Sequence, residues 1–218
     1  MIPKRSQGSI SYSGTTTIGL VCRDGVVLAA DTRVTAGLFI AHRRGKKIHM
    51  IDEHVGVTIA GQVADAQNVV DVLRLHANWY RLERGTPMPV RAAARLVSNV
   101  FFSSRLFPYI AEVLVGGHDA EGPSVYNLDF LGSISSEKFV STGSGSPVAY
   151  GVLEKGYREN LSLEEGTRLA LTALAMAIRR NAGTGDSLDI VQITPKGYRE
   201  LSEEEKQGLL KSEGLVLA

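Results

Sequence analysis

In Gly14-Thr15-Thr16-Thr17-Ile18-Gly19-Leu20-Val21-Cys22-Arg23-Asp24-Gly25-Val26-Val27-Leu28-Ala29-Ala30-Asp31, two β-branched and apolar runs flank the short segment Arg23-Asp24-Gly25. Threonine, valine and isoleucine suit a pleated surface packed against neighbours. A glycine-containing turn between two such runs predicts a β-hairpin. The domain therefore opens in β structure. Lys47 to Met50 and Gly56 to Ala60 extend it as another short strand pair.

Beyond this region the apolar spacing becomes helical. Ala66, Val69, Val70, Leu73, Ala77 and Tyr80 share one face, as do Val90, Ala93, Ala94, Val97 and Phe101. Arg84-Gly85-Thr86-Pro87-Met88-Pro89 separates the two runs and predicts an antiparallel helix pair. A second β block is expected at Ile110 to Val115, Ser124 to Asp129 and Lys138 to Ser141. In Ser162-Leu163-Glu164-Glu165 the serine can accept from a free backbone N–H while Glu165 reaches back, a capping box. It starts a helix with Leu169, Ala170, Ala173, Leu174, Ala177 and Ile178 on one face. Leu188 to Thr194 and Tyr198 to Leu201 read as closing strands, and Ser202 onward as a charged, solvated terminal helix. Two β blocks, each followed by helices, predict an α+β fold.

The length of 218 residues and 44% hydrophobic content fit one globular domain, or at most two small ones. With 24 basic and 23 acidic residues, the formal charge of +1 supplies no electrostatic case for nucleic acid or an anionic membrane as partner. Cys22 is the only cysteine, so no internal disulfide can form and a reducing compartment is expected. The longest apolar stretches, Gly25 to Ala30 and Leu169 to Ile178, are too short to span a bilayer. Residues 1–14 lack the apolar centre of a secretory signal and read as a polar leader, with a cytoplasmic location expected. His42, His49, His54, His76 and His118 show no metal-ligand spacing with cysteines or acids, and no cofactor is expected.

Three threonines after a glycine are in themselves an ordinary strand start. Their context adds a chemical reading, because Gly14 before Thr15 permits the close turn that self-cleavage needs. A hydroxyl is a weak nucleophile without a base, and a terminal α-amine is a fitting base for threonine. With a reference pKa of ~7.7–8.0, that amine is substantially neutral near neutral pH. In the uncut chain it is an amide, so the logic predicts a silent precursor activated by loss of residues 1–14.

Asp31 closes the apolar run Leu28-Ala29-Ala30, and Lys47 lies in Gly45-Lys46-Lys47-Ile48-His49. Alone, each reads as a turn residue. On neighbouring antiparallel strands Thr15, Asp31 and Lys47 would converge at one sheet end, where a Lys–Asp pair would lower the effective pKa of the hydroxyl and amine. Gly61, between a strand and a helix start, is placed to offer an N–H to a developing oxyanion. Thr142-Gly143-Ser144-Gly145-Ser146 lacks the lysine of a phosphate loop and is not a nucleophile elbow.

Taken in order, Gly14-Thr15-Thr16-Thr17-Ile18-Gly19, Leu28-Ala29-Ala30-Asp31-Thr32-Arg33, Lys46-Lys47-Ile48, Ala60-Gly61, Phe107-Pro108-Tyr109, Val115-Gly116-Gly117 and Thr142-Gly143-Ser144-Gly145-Ser146 through Glu154 resemble archaeal-type 20S proteasome β-subunits. The resemblance runs from Gly14 to about Leu201. It implies a four-layer α-β-β-α sandwich of the N-terminal-nucleophile hydrolase type, with residues 1–14 as a removable leader and 15–218 as the peptidase domain. It implies Thr15 as nucleophile and base, Asp31 and Lys47 as its charge pair, and Gly61 as oxyanion donor. Ser144 and Thr184 would bond around the terminal amine, Thr184 standing where the family usually has serine. Thr35 and Gly61 would hold an extended peptide. Val34, His49, Ile59 and Val63 match the pocket for the residue before the scissile bond, which Ile59 makes apolar.

The same resemblance implies partner α-subunits and other β-subunits in heptameric rings of a twenty-eight-subunit stack, unfolded proteins as substrates, and an AAA-type ATPase acting through the α-ring. In Arg180-Asn181-Ala182-Gly183-Thr184, Asn181 stands where active members usually carry Asp. Loss of that charge predicts reduced activity, or dependence on assembly or on a partner β-subunit. Two other readings stand beside the active peptidase: a ring-building β-subunit that never matures, and the shorter bacterial HslV-type peptidase.

Overall fold

The computed structural model describes residues 14–217. The expected leader falls on residues outside these, except for Gly14 at its boundary. The opening hairpin is β1 (Thr17–Cys22) and β2 (Gly25–Asp31), paired in register from Thr17 opposite Ala30 to Cys22 opposite Gly25. All of β2 is buried, and its side chains alternate between two different cores. Val27 and Ala29 pack on one side, Val26, Leu28 and Ala30 on the other. A strand covered on both faces has no polar side to present, hence its continuous apolar run. Each fully buried leucine or valine contributes about 1.5–3 kcal/mol relative to exposure.

The ribbon β3 (Val34–Ala36) and β4 (Phe39–His42) follows, then β5 (Ile48–Asp52), β6 (Val55–Gly61) and helices α1 (Val63–Arg84) and α2 (Val90–Ser103). Next come β7 (Ala111–Asp119), β8 (Gly122–Leu128), β9 (Ile134–Glu137) and β10 (Phe139–Thr142). Helices α3 (Ser146–Gly156) and α4 (Leu163–Arg180), strands β11 (Leu188–Thr194) and β12 (Gly197–Glu200), and α5 (Glu203–Ser212) complete the fold. One antiparallel sheet has the order β10-β1-β2-β11-β12, the other β5-β6-β7-β8-β9.

Three apolar layers hold these parts together. Val26 and Leu28 meet Leu114, Val125 and Ile193 between the sheets. Val57, Val113 and Val115 pack on Val70, Leu73, Val97 and Phe101 of α1 and α2. Ile18, Leu20 and Ile190 pack on Ala149, Leu153, Leu171 and Leu174 of α3 and α4. The result is the α-β-β-α sandwich of an N-terminal-nucleophile hydrolase.

The capping box forms as expected. Ser162 Oγ accepts from the Glu165 N–H at 3.2 Å, and Glu165 Oε2 accepts from the Ser162 N–H at 2.9 Å. A second box, Ser202 with Glu205, starts α5. That helix is less solvated than its charge suggests. Lys206 is buried and donates to the Leu188 carbonyl at 2.8 Å and to Glu203 at 2.7 Å, while Leu209 and Leu210 pack on the adjacent core.

Candidate active site

Thr15 lies just before β1, so the sheet fixes its backbone, and it is only 2% exposed. Its Oγ1 donates to the Gly14 carbonyl at 2.6 Å. Gly14 in turn donates its N–H to Thr35 Oγ1 on β3 at 2.9 Å, which holds the residue before Thr15 in place. A Cβ on Gly14 would lie 2.1 Å from the Gly183 Cα, so backbone meets backbone and only glycine fits. The sequence reading gave this glycine a turn role. Its larger role is the close approach to the loop that follows α4.

Asp31, at the end of β2, is fully buried and fully partnered. Its Oδ1 accepts from the Thr16 N–H and from Lys47 Nζ, both at 2.8 Å. Its Oδ2 accepts from the N–H groups of Arg33 at 3.1 Å and Gly185 at 3.0 Å. Burial pushes the carboxyl above its ordinary value, opposed by Lys47 and by the Thr16 and Gly185 N–H groups. Burial likewise pushes the Lys47 ammonium down, with Asp31 pulling the other way. Four bonds on one carboxylate keep this pair charged despite its burial.

The route by which Lys47 arrives corrects the sequence reading. Thr15 leads into β1 and Asp31 ends the adjacent β2, but Lys47 precedes β5 in the other sheet. The ion pair therefore bridges the two sheets rather than the end of one. Alternating strand patterns carry no information about which sheet lies opposite which.

On the other side of Thr15, its N–H donates to Ser144 Oγ at 3.3 Å, and its carbonyl accepts from the N–H of Gly145, the N-cap of α3, at 3.2 Å. Ser144 Oγ donates to Asn181 Oδ1 at 3.0 Å. Thr184 Oγ1 also donates to Asn181 Oδ1 at 3.0 Å and shares a 2.8 Å bond with Thr16 Oγ1. Thr184 thus reaches Thr16, where the resemblance had implied a bond around the Thr15 amine. Asn181 is the C-cap of α4, and its extended backbone turns the chain into the 182–187 loop.

Beside Gly14 runs a groove of about 480 Å³ lined by Val34, Thr35, Ala36 and Gly37 on one wall and Gly61, Gln62, Val63 and Ala64 on the other. Gly61 sits at φ 145°, and a Cβ there would lie 2.0 Å from the Ile110 carbonyl oxygen. No other residue fits at this corner of the groove. Of the four expected pocket residues, Val34 and Val63 line the groove. Ile59 is buried in the core beneath α1 and α2, and His49 lies off the groove on β5, its pKa lowered first by burial.

Several contributors escaped the sequence reading. Arg33 Nε donates to Asp186 at 2.8 Å and its Nη1 to the Ala182 carbonyl at 2.9 Å, bracing the loop that carries Thr184. Arg43 adds a 2.7 Å bond to Asp186. Glu112 Oε2 accepts from the Gly143 N–H at 3.1 Å and holds the Ser144 loop. The only sequence hint was Arg33 itself, two residues after Asp31. Among the described residues no group of His, Cys, Asp and Glu could hold a metal ion, and no helix is long and apolar enough to cross a membrane.

Known proteins resemble this chain over most of its length. The model of the proteasome subunit family matches residues 11–193. The proteasome subunit beta 2 of Nitrosopumilus maritimus is 50% identical over 198 residues, covering 91% of this chain and 94% of that relative. Its counterpart in Cenarchaeum symbiosum is 49% identical over 197 residues, covering 90% and 94%. That of Aeropyrum pernix is 52% identical over 188 residues, covering 86% and 85%. With a buried Thr15 before β1, a bridging ion pair and a groove beside Gly14 already in place, these matches establish that the chain belongs to the proteasome subunit family, among its β-subunits.

Proposed function

We propose that the chain is a threonine endopeptidase subunit of the 20S proteasome core that releases its own nucleophile by cutting Gly14-Thr15. The observation that carries this reading is the 2.6 Å bond between Thr15 Oγ1 and the Gly14 carbonyl, next to a buried Asp31–Lys47 pair. In self-cleavage, Thr15 Oγ bonds to the Gly14 carbonyl carbon, its proton passes to the Thr15 nitrogen, and the C–N bond breaks to leave an ester. Water then splits the ester into the Gly14 carboxylate and the free hydroxyl, with release of a proton. Residues 1–14 leave as the leader, and 15–218 remain as the peptidase domain.

The freed amine then takes the proton of its own Oγ, which attacks a substrate carbonyl. The amine returns that proton to the departing amino group, and water hydrolyses the acyl ester. The Lys47 cation favours a neutral amine, and the Gly61 N–H accommodates the oxyanion. An extended peptide lies between Thr35 and Gly61 as an added strand, with Val34 and Val63 favouring an apolar residue before the cut. The subunit works in the cytoplasm, in heptameric β-rings stacked between α-rings, on unfolded chains delivered through the α-ring by an ATPase.

Intact mass of the protein assembled with α-subunits tests this. The expected product lacks residues 1–14 and hydrolyses apolar peptides, whereas Thr15→Ala keeps the leader and loses turnover by about 10⁶-fold. Hydrolysis that survives Thr15→Ala sinks the mechanism. A second reading, a ring-building subunit that never matures, is favoured by Asn181 alone. A leader retained by the wild-type protein in complete particles would select it.

A further inference from the structure

Asn181 uses both ends of its amide, and its two ends cannot be exchanged. Oδ1 accepts from the Gly183 N–H, Ser144 Oγ and Thr184 Oγ1, each at 3.0 Å. Nδ2 donates to the Ser144 carbonyl at 3.0 Å. A backbone N–H can only donate and a carbonyl can only accept, so the Gly183 side requires the oxygen and the Ser144 side requires the nitrogen. A carboxylate could satisfy the first side but would set an oxygen against the Ser144 carbonyl on the second. The site is built for a neutral amide.

The placement of Asn181 gives that neutrality a consequence. It stands one hydroxyl away from the Thr15 nitrogen, through the 3.3 Å and 3.0 Å bonds of Ser144. The charged groups around Thr15 are otherwise Asp31 paired with Lys47, Asp186 paired with Arg33 and Arg43, and Glu112 on the Gly143 N–H. Asp31 and Asp186 are matched by cations, and Glu112 is held by the adjoining loop. Resting on the function proposed above, we propose that Asn181 is a positioning residue. Its uncharged amide joins the Ser144 loop to the Thr184 turn without adding a second carboxylate, beside Glu112, at this side of the Thr15 amine, so the subunit stays active at lower pH than an acid at this position would allow.

The pH dependence of kcat/KM for a small peptide, measured on particles assembled with α-subunits, tests the proposal. In the wild type, burial of Thr15 and the Lys47 cation with no charge at position 181 place the midpoint of the acid limb below the ordinary terminal-amine value of ~7.7–8.0. A midpoint at or above that value overturns the proposal without any variant. In Asn181→Asp the midpoint should rise by about one pH unit, because a nearby anion favours the protonated amine. A limb that does not move, or an Asn181→Asp enzyme that is faster at every pH, overturns it. A purely structural role would change the rate and leave the midpoint in place. If hydrolysis needs Thr15 yet the limb is unmoved, only the role of Asn181 falls. If hydrolysis is absent or independent of Thr15, the proposed function falls with it.

Discussion

The two sides of Thr15 are built on opposite electrostatic plans. On the Asp31 side, a carboxylate at 0% exposure meets a lysine at 7%, and four donors converge on one group. On the Ser144 side, a half-buried asparagine joins two loops by neutral hydrogen bonds beside an exposed serine. The difference shows where a charge is useful. Sealed from water and matched by a cation, it organises the backbone at Thr16, Arg33 and Gly185. Beside the groove, where the proposed function requires the Thr15 Oγ proton to move, a fixed charge would compete with the freed amine.

The comparison can be broken first at its charged side. Lys47→Met leaves Asp31 buried without its cation, and the expected loss is about 3–5 kcal/mol of stability. Chemical denaturation of the unassembled subunit measures it. A loss under about 1 kcal/mol would mean that the pair is not sealed. At the neutral side, Asn181→Ala removes bonds that water can partly replace, so the expected loss is smaller, about 1–2 kcal/mol. The same denaturation series ranks the two variants, and an inverted ranking would refute the contrast.

The smallest expected effect concerns acid stability. Arg33, then Arg43, hold the Asp186 carboxyl below its ordinary range. The folded state then binds a proton less readily than the unfolded chain. This contribution is complete above the ordinary carboxylate value and disappears as pH falls through the depressed one. Asp31 carries the opposite sign, since burial raises its value, and it adds stability only on the acid side. Asp186→Asn should therefore flatten the loss of stability with falling pH by at most one proton in the slope. An unchanged slope in acid melting curves would show that the Arg33–Asp186–Arg43 cluster is not intact in solution.

Much of the scaffold was legible because burial on defined faces leaves a periodic trace. The Ala66 to Tyr80 face was readable for that reason, Val26 to Ala30 because burial on both faces leaves a continuous apolar run, and Ser162 to Glu165 from its capping chemistry. Elements with weak traces were missed. Strand β9 has one apolar residue in Ile134-Ser135-Ser136-Glu137, and its pairing with β8 supplies the rest. Helix α3 hides behind the Gly/Ser segment, although Pro147 in its first turn suits a helix start. The expected strand from Ile110 to Val115 runs on to Asp119, because Gly116 and Gly117 are paired on both sides.

The sequence by itself determined the hairpin, the α1–α2 pair, helix α4 and the candidates Thr15, Asp31, Lys47, Ser144 and Asn181, since these depend on residue type and local spacing. Only the tertiary structure decided that Lys47 crosses from the second sheet, that Gly14 rests on Gly183, and that Ile59 belongs to the helix-side core. It also decided the hydrogen-bond partners of Asn181, which as a letter in a sequence is merely an aspartate without its charge. A hydrogen-bond donor has meaning only once its acceptor is known, and the Ser144 carbonyl comes to Asn181 from the far end of another loop.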